Sequence, residues 1–305
     1  MTVVQAQALA QQYVTKSGPV DALTGIDVDI PEGTTGLVGA NGAGKTTLLR
    51  ILLGLIHPTG GSAEVLGVEV ADDPLLVRSM VGYMPEGSCL PTDQTAADFV
   101  AYAAELAGLP AREARRRSSE TLFLVGLHEE RFRFLGDFST GMQQRVKLAQ
   151  AIVHDPQLVL LDEPASGLDP EGRRQMLGLI KRLTEFGINV IFSSHILTDI
   201  EETCDWIVML DQGRLLRSEP LLSLGSRTTL EIEVLGDAPR VAELLRAAGA
   251  DVEVDHQVVR LTPDATKPYD AVRDALIEAN AGLVRMGYPD VTLEDVFLES
   301  AHTDE

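Results

Sequence analysis

Cysteine is scarce in this chain. Its two copies, Cys89 and Cys204, lie far apart and belong to no Cys-x-x-Cys or histidine spacing, which excludes a sequence-legible zinc site and a disulfide framework. Both are expected to be reduced thiols. Long apolar runs are also missing. Hydrophobic residues make up 45% of the chain, yet no stretch approaches the roughly 20 uncharged apolar residues of a membrane span. The N-terminal MTVVQAQALA has neither the basic start nor the apolar block of about 7 to 15 residues that marks a secretory signal. A soluble chain that stays in the cytoplasm is the expectation. Basic charge is short as well, with 25 Lys and Arg against 46 Asp and Glu for a net charge of -21. That balance argues against nucleic acid as a partner, because displacing counterions from phosphates takes a basic face. It argues equally against anionic lipid. The one basic cluster, Arg112, Arg115, Arg116 and Arg117, falls on an expected helix and reads as a solvated face rather than an RNA or lipid patch. Solenoid repeats, heptads and low-complexity tracts are absent from the sequence.

What the chain does have is an ordered alternation of elements. Its 305 residues suit a main domain of about 200 to 230 residues with a smaller one attached. Val3 to Ile30 alternates as an antiparallel edge sheet does, and Pro31-Glu32-Gly33 supplies a turn. Thr34 to Val38 reads as a buried strand that runs into a glycine-rich turn and a helix over Lys45 to Leu55. Helices are expected over Thr95–Ala107 and Ala111–Gly126, as an inserted helical subdomain. An apolar strand at Leu158–Leu161, a helix at Glu171–Phe186 and a strand at Asn189–Ser193 continue the pattern, which signals a parallel sheet with crossover helices. The pattern weakens near Leu221–Arg227. A separate series follows: strand Thr229–Leu235, helix Pro239–Ala248, strands Asp251–Val254 and Val258–Leu261, helix Tyr269–Ala279 and strand Leu283–Tyr288. That β-α-β-β-α-β order is ferredoxin-like. A last helix is expected over Leu293–Ala301.

Gly39-Ala40-Asn41-Gly42-Ala43-Gly44-Lys45-Thr46, followed by Thr47, matches the phosphate-loop (Walker A) pattern in full. Average residue usage produces such a match by chance in about one chain of this length in a hundred. The glycines let backbone N–H groups turn in around phosphate oxygens, and the following helix points its positive dipole end at the same place. Lys45 would meet the β and γ phosphates and Thr46 would bind Mg2+ through its hydroxyl. Leu158-Val159-Leu160-Leu161-Asp162-Glu163 supplies the complement. An apolar strand ending in two carboxylates presents both at the carboxyl edge, where ligands bind in open α/β sheets. Asp162 is expected to hold Mg2+ and Glu163 to act as general base on the attacking water. His195 ends the strand Val190-Ile191-Phe192-Ser193-Ser194 on the same rim. It either caps a helix or contacts the γ phosphate and orients Glu163.

These residues define a P-loop NTPase of open branch. Phe138-Ser139-Thr140-Gly141-Met142-Gln143-Gln144-Arg145 resembles the LSGGQ signature of the ATP-binding cassette (ABC) family, in a YSTGM-like variant. The resemblance covers Val3 to about Pro220. It implies an ATPase with ATP and Mg2+ as cofactors, and a cassette fold with an antiparallel edge sheet and an inserted helical subdomain at about 90–150. Ser139 and Gly141 would face the phosphate bound by a second nucleotide-binding subunit, a homodimer or close paralogue. Tyr13 resembles the family's adenine-stacking aromatic, with core packing as the alternative. Ser166-Gly167-Leu168-Asp169 matches the D-loop, which implies a dimer seam at Asp169; a helix-starting turn is the other reading. Glu86 stands where most cassettes have glutamine, and a carboxylate there can still bind magnesium or order water. Val291-Thr292-Leu293-Glu294-Asp295-Val296-Phe297-Leu298 resembles the tail of ATPases of ABC-2 type exporters, the daunorubicin-resistance and sodium-efflux group. A nucleotide-binding domain is expected over 1–222, and the small domain over 228–305, which shows no catalytic constellation in its sequence, is expected to serve regulation or dimerisation. The resemblance implies a separately encoded membrane permease as partner and a peripheral place on the cytoplasmic face of the membrane. Two other readings remain: a soluble cassette protein acting on ribosomes or DNA, and an ATP-dependent regulatory switch.

Overall fold

The computed structural model describes residues 2–16, 18–87, 89–224, 230–262, 268–287 and 293. They form two compact units, divided between Leu221 and Leu222.

The first unit begins with β1 (Thr2–Thr15) and β2 (Gly18–Pro31), paired antiparallel as the alternation predicts. Then come β3 (Thr34–Val38) and α1 (Lys45–Leu52). The helix stops short of the expected Leu55 because Gly54 turns left-handed at φ 62°. Its N–H bonds the Ile51 carbonyl while the Leu55 N–H bonds Arg50, the paired bonds of a Schellman ending. β4 (Gly60–Val65) and β5 (Val68–Glu69), which had no clear signal, extend the first sheet to the order β2-β1-β4-β5.

After α2 (Pro74–Met80), capped by Asp73, β6 (Val81–Met84) enters a second sheet. The helical insertion consists of α3 (Ala96–Leu106), with Thr95 as its N-cap, and α4 (Ala111–Leu124). Two of the α4 arginines are matched by acidic neighbours: Arg116 pairs with Glu113 and Glu120, and Arg117 lies 3.0 Å from Asp155. Next are α5 (Thr140–Ile152), β7 (Leu158–Leu161), α6 (Pro170–Glu185), β8 (Asn189–Ser194), α7 (Leu197–Thr203), β9 (Trp206–Asp211) and β10 (Arg214–Pro220). The sheet order is β10-β9-β3-β8-β7-β6, parallel except for the β10–β9 pair.

All four residues of β7 are fully buried, and each such Val or Leu contributes about 1.5–3 kcal/mol of transfer free energy. This is the heart of the core. The two sheets and α1 share it through Leu9, Ile26, Leu37, Leu49, Leu160 and Val208. Because β3, β6, β7 and β8 run parallel, their carboxyl ends lie on one edge. The phosphate loop, Glu86, Asp162, Glu163 and His195 all follow those ends.

A short α8 (Leu221–Leu224) spans the division. The second unit has β11 (Leu230–Leu235), α9 (Ala238–Ala247), β12 (Asp251–Asp255), β13 (Val258–Thr262), α10 (Pro268–Glu278) and β14 (Gly282–Gly287). The strands pair antiparallel in the order β12-β13-β11-β14. Ile232, Val241, Leu245, Val259 and Leu276 belong to its own core. The helix expected at Leu293–Ala301, and with it the exporter-like tail motif, lies outside the described residues except for Leu293.

Among the described residues no helix is long and apolar enough to cross a membrane. Both cysteines are free, Cys204 buried and Cys89 exposed.

Candidate active site

The phosphate loop owes its path to close backbone approaches. A Cβ on Gly39 would sit 2.3 Å from the Leu210 carbonyl oxygen, and one on Gly44, at φ 105°, would sit 2.5 Å from that of Ala22. Neither position admits a side chain. Within the loop the Ala43 N–H closes on the Ala40 carbonyl at 3.1 Å. No side chain caps the start of α1 and its first turn holds no acidic residue, so its dipole end favours an anion. Lys45, 7% exposed, folds back over the loop and donates to the carbonyls of Gly39 (2.6 Å) and Ala40 (3.3 Å). Its ammonium stands 3.9 Å from Glu163 Oε1.

At the end of β7 the two carboxylates are held differently. Asp162 is fixed on both oxygens: Thr46 donates to Oδ2 at 2.9 Å and Ser193 to Oδ1 at 2.8 Å. The same Ser193 hydroxyl oxygen accepts the Glu163 N–H at 2.8 Å. Glu163 itself adopts a left-handed backbone, φ 50°, a conformation that costs of order 1–3 kcal/mol and persists only where the surroundings impose it. His195 Nδ1 lies 2.8 Å from Glu163 Oε2, so the histidine engages the carboxylate directly. Among the described residues, none gives the buried Glu163 Oε1 a hydrogen bond. Such an orphan acceptor is costly in a finished core and suits a base awaiting a proton donor. Beside the site, the Tyr83 phenol is pushed above its ordinary range by burial and, less strongly, by the charge of Asp162.

Lys45, Thr46, Thr47, Glu86, Asp162 and Glu163 line a polar cavity of about 450 Å³, whereas His195 reaches it only through Glu163. Asn41, Gly42 and Gly44 complete its loop side. Tyr13, half-buried on β1, reaches Thr47 with its hydroxyl 3.5 Å from Thr47 Oγ1. Ser139, Gly141 and Asp169 are not among the residues lining this cavity. Ser139 is exposed and caps α5 through the Met142 N–H, and Asp169 caps α6 through Gly172. The signature and D-loop segments adjoin each other: a Cβ on Gly167 would stand 3.6 Å from Thr140 Cγ2, and one on Gly141 would stand 3.8 Å from Leu168.

Ser193, Gln144 and Lys147 also hold the site together, through bonds that no sequence motif announces. Ser193 links the Asp162 carboxylate to the Glu163 backbone N–H, and Gln144 donates to the Ser166 carbonyl at 3.2 Å. Lys147 donates to the carbonyls of Pro85, Glu86 and Gly87. The available signal was a polar residue inside an otherwise apolar strand or helix face, which must find partners when buried.

The oxygen donors Thr46 and Asp162 suit Mg2+, which is commonly held by one or two protein oxygens together with substrate phosphates. Among the described residues no group of three or more His, Cys, Asp or Glu side chains is arranged as a metal cage, in keeping with that sparse mode. The loop, lysine and helix terminus fit a nucleotide triphosphate.

Comparison with known proteins agrees with this chemistry. Residues 23–166 match the family model described as ABC transporter. An uncharacterised ABC transporter ATP-binding protein of Synechocystis, sll0415, is 38% identical over 97% of this chain and 84% of its own length. The daunorubicin resistance ATP-binding protein DrrA2 of Streptomyces coeruleorubidus is 31% identical over 97% of this chain and 94% of its own. The dimeric cassette MJ0796 bound to ADP and Pi, a post-hydrolysis state, superposes with a TM-score of 0.66 at 25% identity. It covers 72% of this chain and 98% of that one. The chain therefore belongs to the ABC transporter family, as an ATP-binding, ATP-hydrolysing subunit.

Proposed function

We propose that this ATPase drives export through a separately encoded membrane permease, on the cytoplasmic face of the membrane, as one half of a head-to-tail nucleotide-binding pair. The observation that carries the reading is the separation within one chain of two half-sites: Lys45, Thr46, Asp162 and Glu163 share one cavity, while Ser139 and Gly141 lie outside it. A second subunit, a like chain or close paralogue, then brings its Ser139 and Gly141 to the γ phosphate, with Asp169 at the seam. Full-length similarity to a daunorubicin-resistance protein supports export.

In this reading Gly39, Asn41, Gly42, Ala43 and Gly44 cradle the phosphates with backbone N–H groups. Lys45 holds the β and γ phosphates, Thr47 extends the cradle, and Tyr13 stacks on the adenine. Thr46 and Asp162, with help from Glu86, would hold magnesium, which when bound would supply charge stabilisation for the transferred phosphoryl group. Glu163 accepts the proton of the attacking water through Oε1, and His195 holds the carboxylate in place. Release of phosphate removes the contacts that join the two subunits and reopens the pair.

The domains are read as 1–222 for nucleotide binding, with the helical subdomain about 90–150, and 228–305 for regulation or dimerisation. The β-α-β-β-α-β succession with sheet order β12-β13-β11-β14 supports a ferredoxin-like fold for the second. The test is ATP turnover by Glu163→Gln, together with what co-purifies. Loss of turnover with retained ATP binding, and a membrane partner, is expected. Undiminished turnover removes Glu163 from the mechanism, and ribosomes or DNA in place of a permease favour a soluble cassette protein, which the net charge of -21 disfavours.

A further inference from the structure

We infer that Lys147 is a positioning residue that fixes the Pro85–Glu86–Gly87 turn, and so the Glu86 carboxylate, against the nucleotide cavity. The inference rests on the reading of Glu86 given above. Lys147 is 4% exposed, and isolating an ammonium from water is costly unless it is well paired. Here the ammonium donates to three successive carbonyls, of Pro85 at 2.8 Å, Glu86 at 3.1 Å and Gly87 at 3.3 Å. Three acceptors match the three protons of the group. Burial lowers the Lys147 pKa, while the negative charges of Glu86 and Asp162 oppose the shift.

A cation that binds a turn by three carbonyls fixes backbone, not a side chain. The turn it fixes carries Glu86, which is exposed and lines the cavity beside Lys45 and Asp162. Lys147 therefore acts on the site through the backbone of Glu86 without lining the cavity itself. It also acts from a particular place. Lys147 stands on α5, the helix whose first turn is capped by Ser139, with about 12 Å of helix axis between the two at 1.5 Å per residue. The same helix holds the Ser166 carbonyl through Gln144. One rigid element thus ties the segment expected to reach a partner's phosphate to the turn that presents Glu86 to this chain's own. Movement of α5 when the signature engages a second nucleotide is passed to Glu86 by the Lys147 clamp.

The alternative is that Lys147 merely supports the fold. A double-mutant cycle on the full chain separates the two, with steady-state Mg-ATP hydrolysis and thermal melting measured for Glu86→Ala, Lys147→Met and the double variant. Glu86→Ala is expected to lower kcat about tenfold, and Lys147→Met to lower it similarly with KM changed less than about twofold, as for an interaction felt in the reacting complex. The double variant is expected to be no slower than the slower single one, and Lys147→Arg to recover much of the rate. Should Lys147→Met not fold, Lys147→Gln completes the cycle. Multiplicative losses overturn the role of Lys147 alone. No change in Glu86→Ala removes Glu86 from the hydrolytic reading and this inference with it.

Discussion

His195 and Glu163 share one hydrogen bond, Nδ1 to Oε2 at 2.8 Å, which leaves Glu163 Oε1 buried 3.9 Å from the Lys45 ammonium with no hydrogen bond among the described residues. One oxygen is anchored and the other is free to take a proton. His195 is half exposed, with 52% of its side chain accessible, so its removal opens little space in the core.

His195→Ala is accordingly expected to fold normally and to bind ATP unchanged. Turnover should fall about 10- to 100-fold, less than the roughly 10²–10⁴-fold that a general base itself supplies, because His195 only holds that base in place. Nucleotide titration and steady-state hydrolysis check both halves. A rate within twofold of the parent shows that the backbone alone holds Glu163.

The contact of β6 with α5 depends on a missing side chain. A Cβ on Gly82 would lie 2.0 Å from the Ala151 carbonyl oxygen, whereas one on Gly178, on the exposed side of α6, meets nothing within 4 Å. Gly82→Ala should lower stability by about 1–3 kcal/mol through overpacking. Gly178→Ala should raise it by about 0.5–1 kcal/mol as a helix-interior replacement. Urea unfolding of the two variants gives opposite signs if the packing is as described.

His154 is half-buried, with no hydrogen bond to Nε2 among the described residues, and burial holds its pKa below the ordinary 6.5. The folded chain keeps this ring neutral while the unfolded chain protonates it. Its contribution is full above the unfolded pKa and is lost as pH falls below it. Between about pH 7.5 and 5.5, the melting temperature of His154→Gln should fall less steeply than that of the parent. Parallel slopes contradict the assignment.

Much of this architecture is legible before any coordinates. Thr34–Val38 and Leu158–Leu161 form strands with the expected bounds, because uninterrupted burial leaves a short apolar run few alternatives. The Asp162–Glu163 edge and the phosphate loop follow from glycine spacing and charge. Less legible are elements whose identity comes from partners far away in sequence. The short β5 carries only Val68 and Glu69, too few residues for a period, and it exists because β4 offers a free edge. Ser193 reads as one more strand residue until its hydroxyl is seen between Asp162 and the Glu163 N–H. Lys147 looks like part of a polar helix face, and only the fold shows that three carbonyls surround it.

The division of the site between two chains is tested most directly by mixing two inactive variants. Lys45→Ala disables the phosphate loop, and Gly141→Asp places a negative charge on the signature segment. Each alone should hydrolyse ATP near background. In an equimolar mixture about half the dimers pair unlike variants, and each of these has one intact site, so roughly a quarter of the parent rate should return. A mixture no faster than the two variants measured apart, or full activity in Gly141→Asp alone, contradicts a shared site.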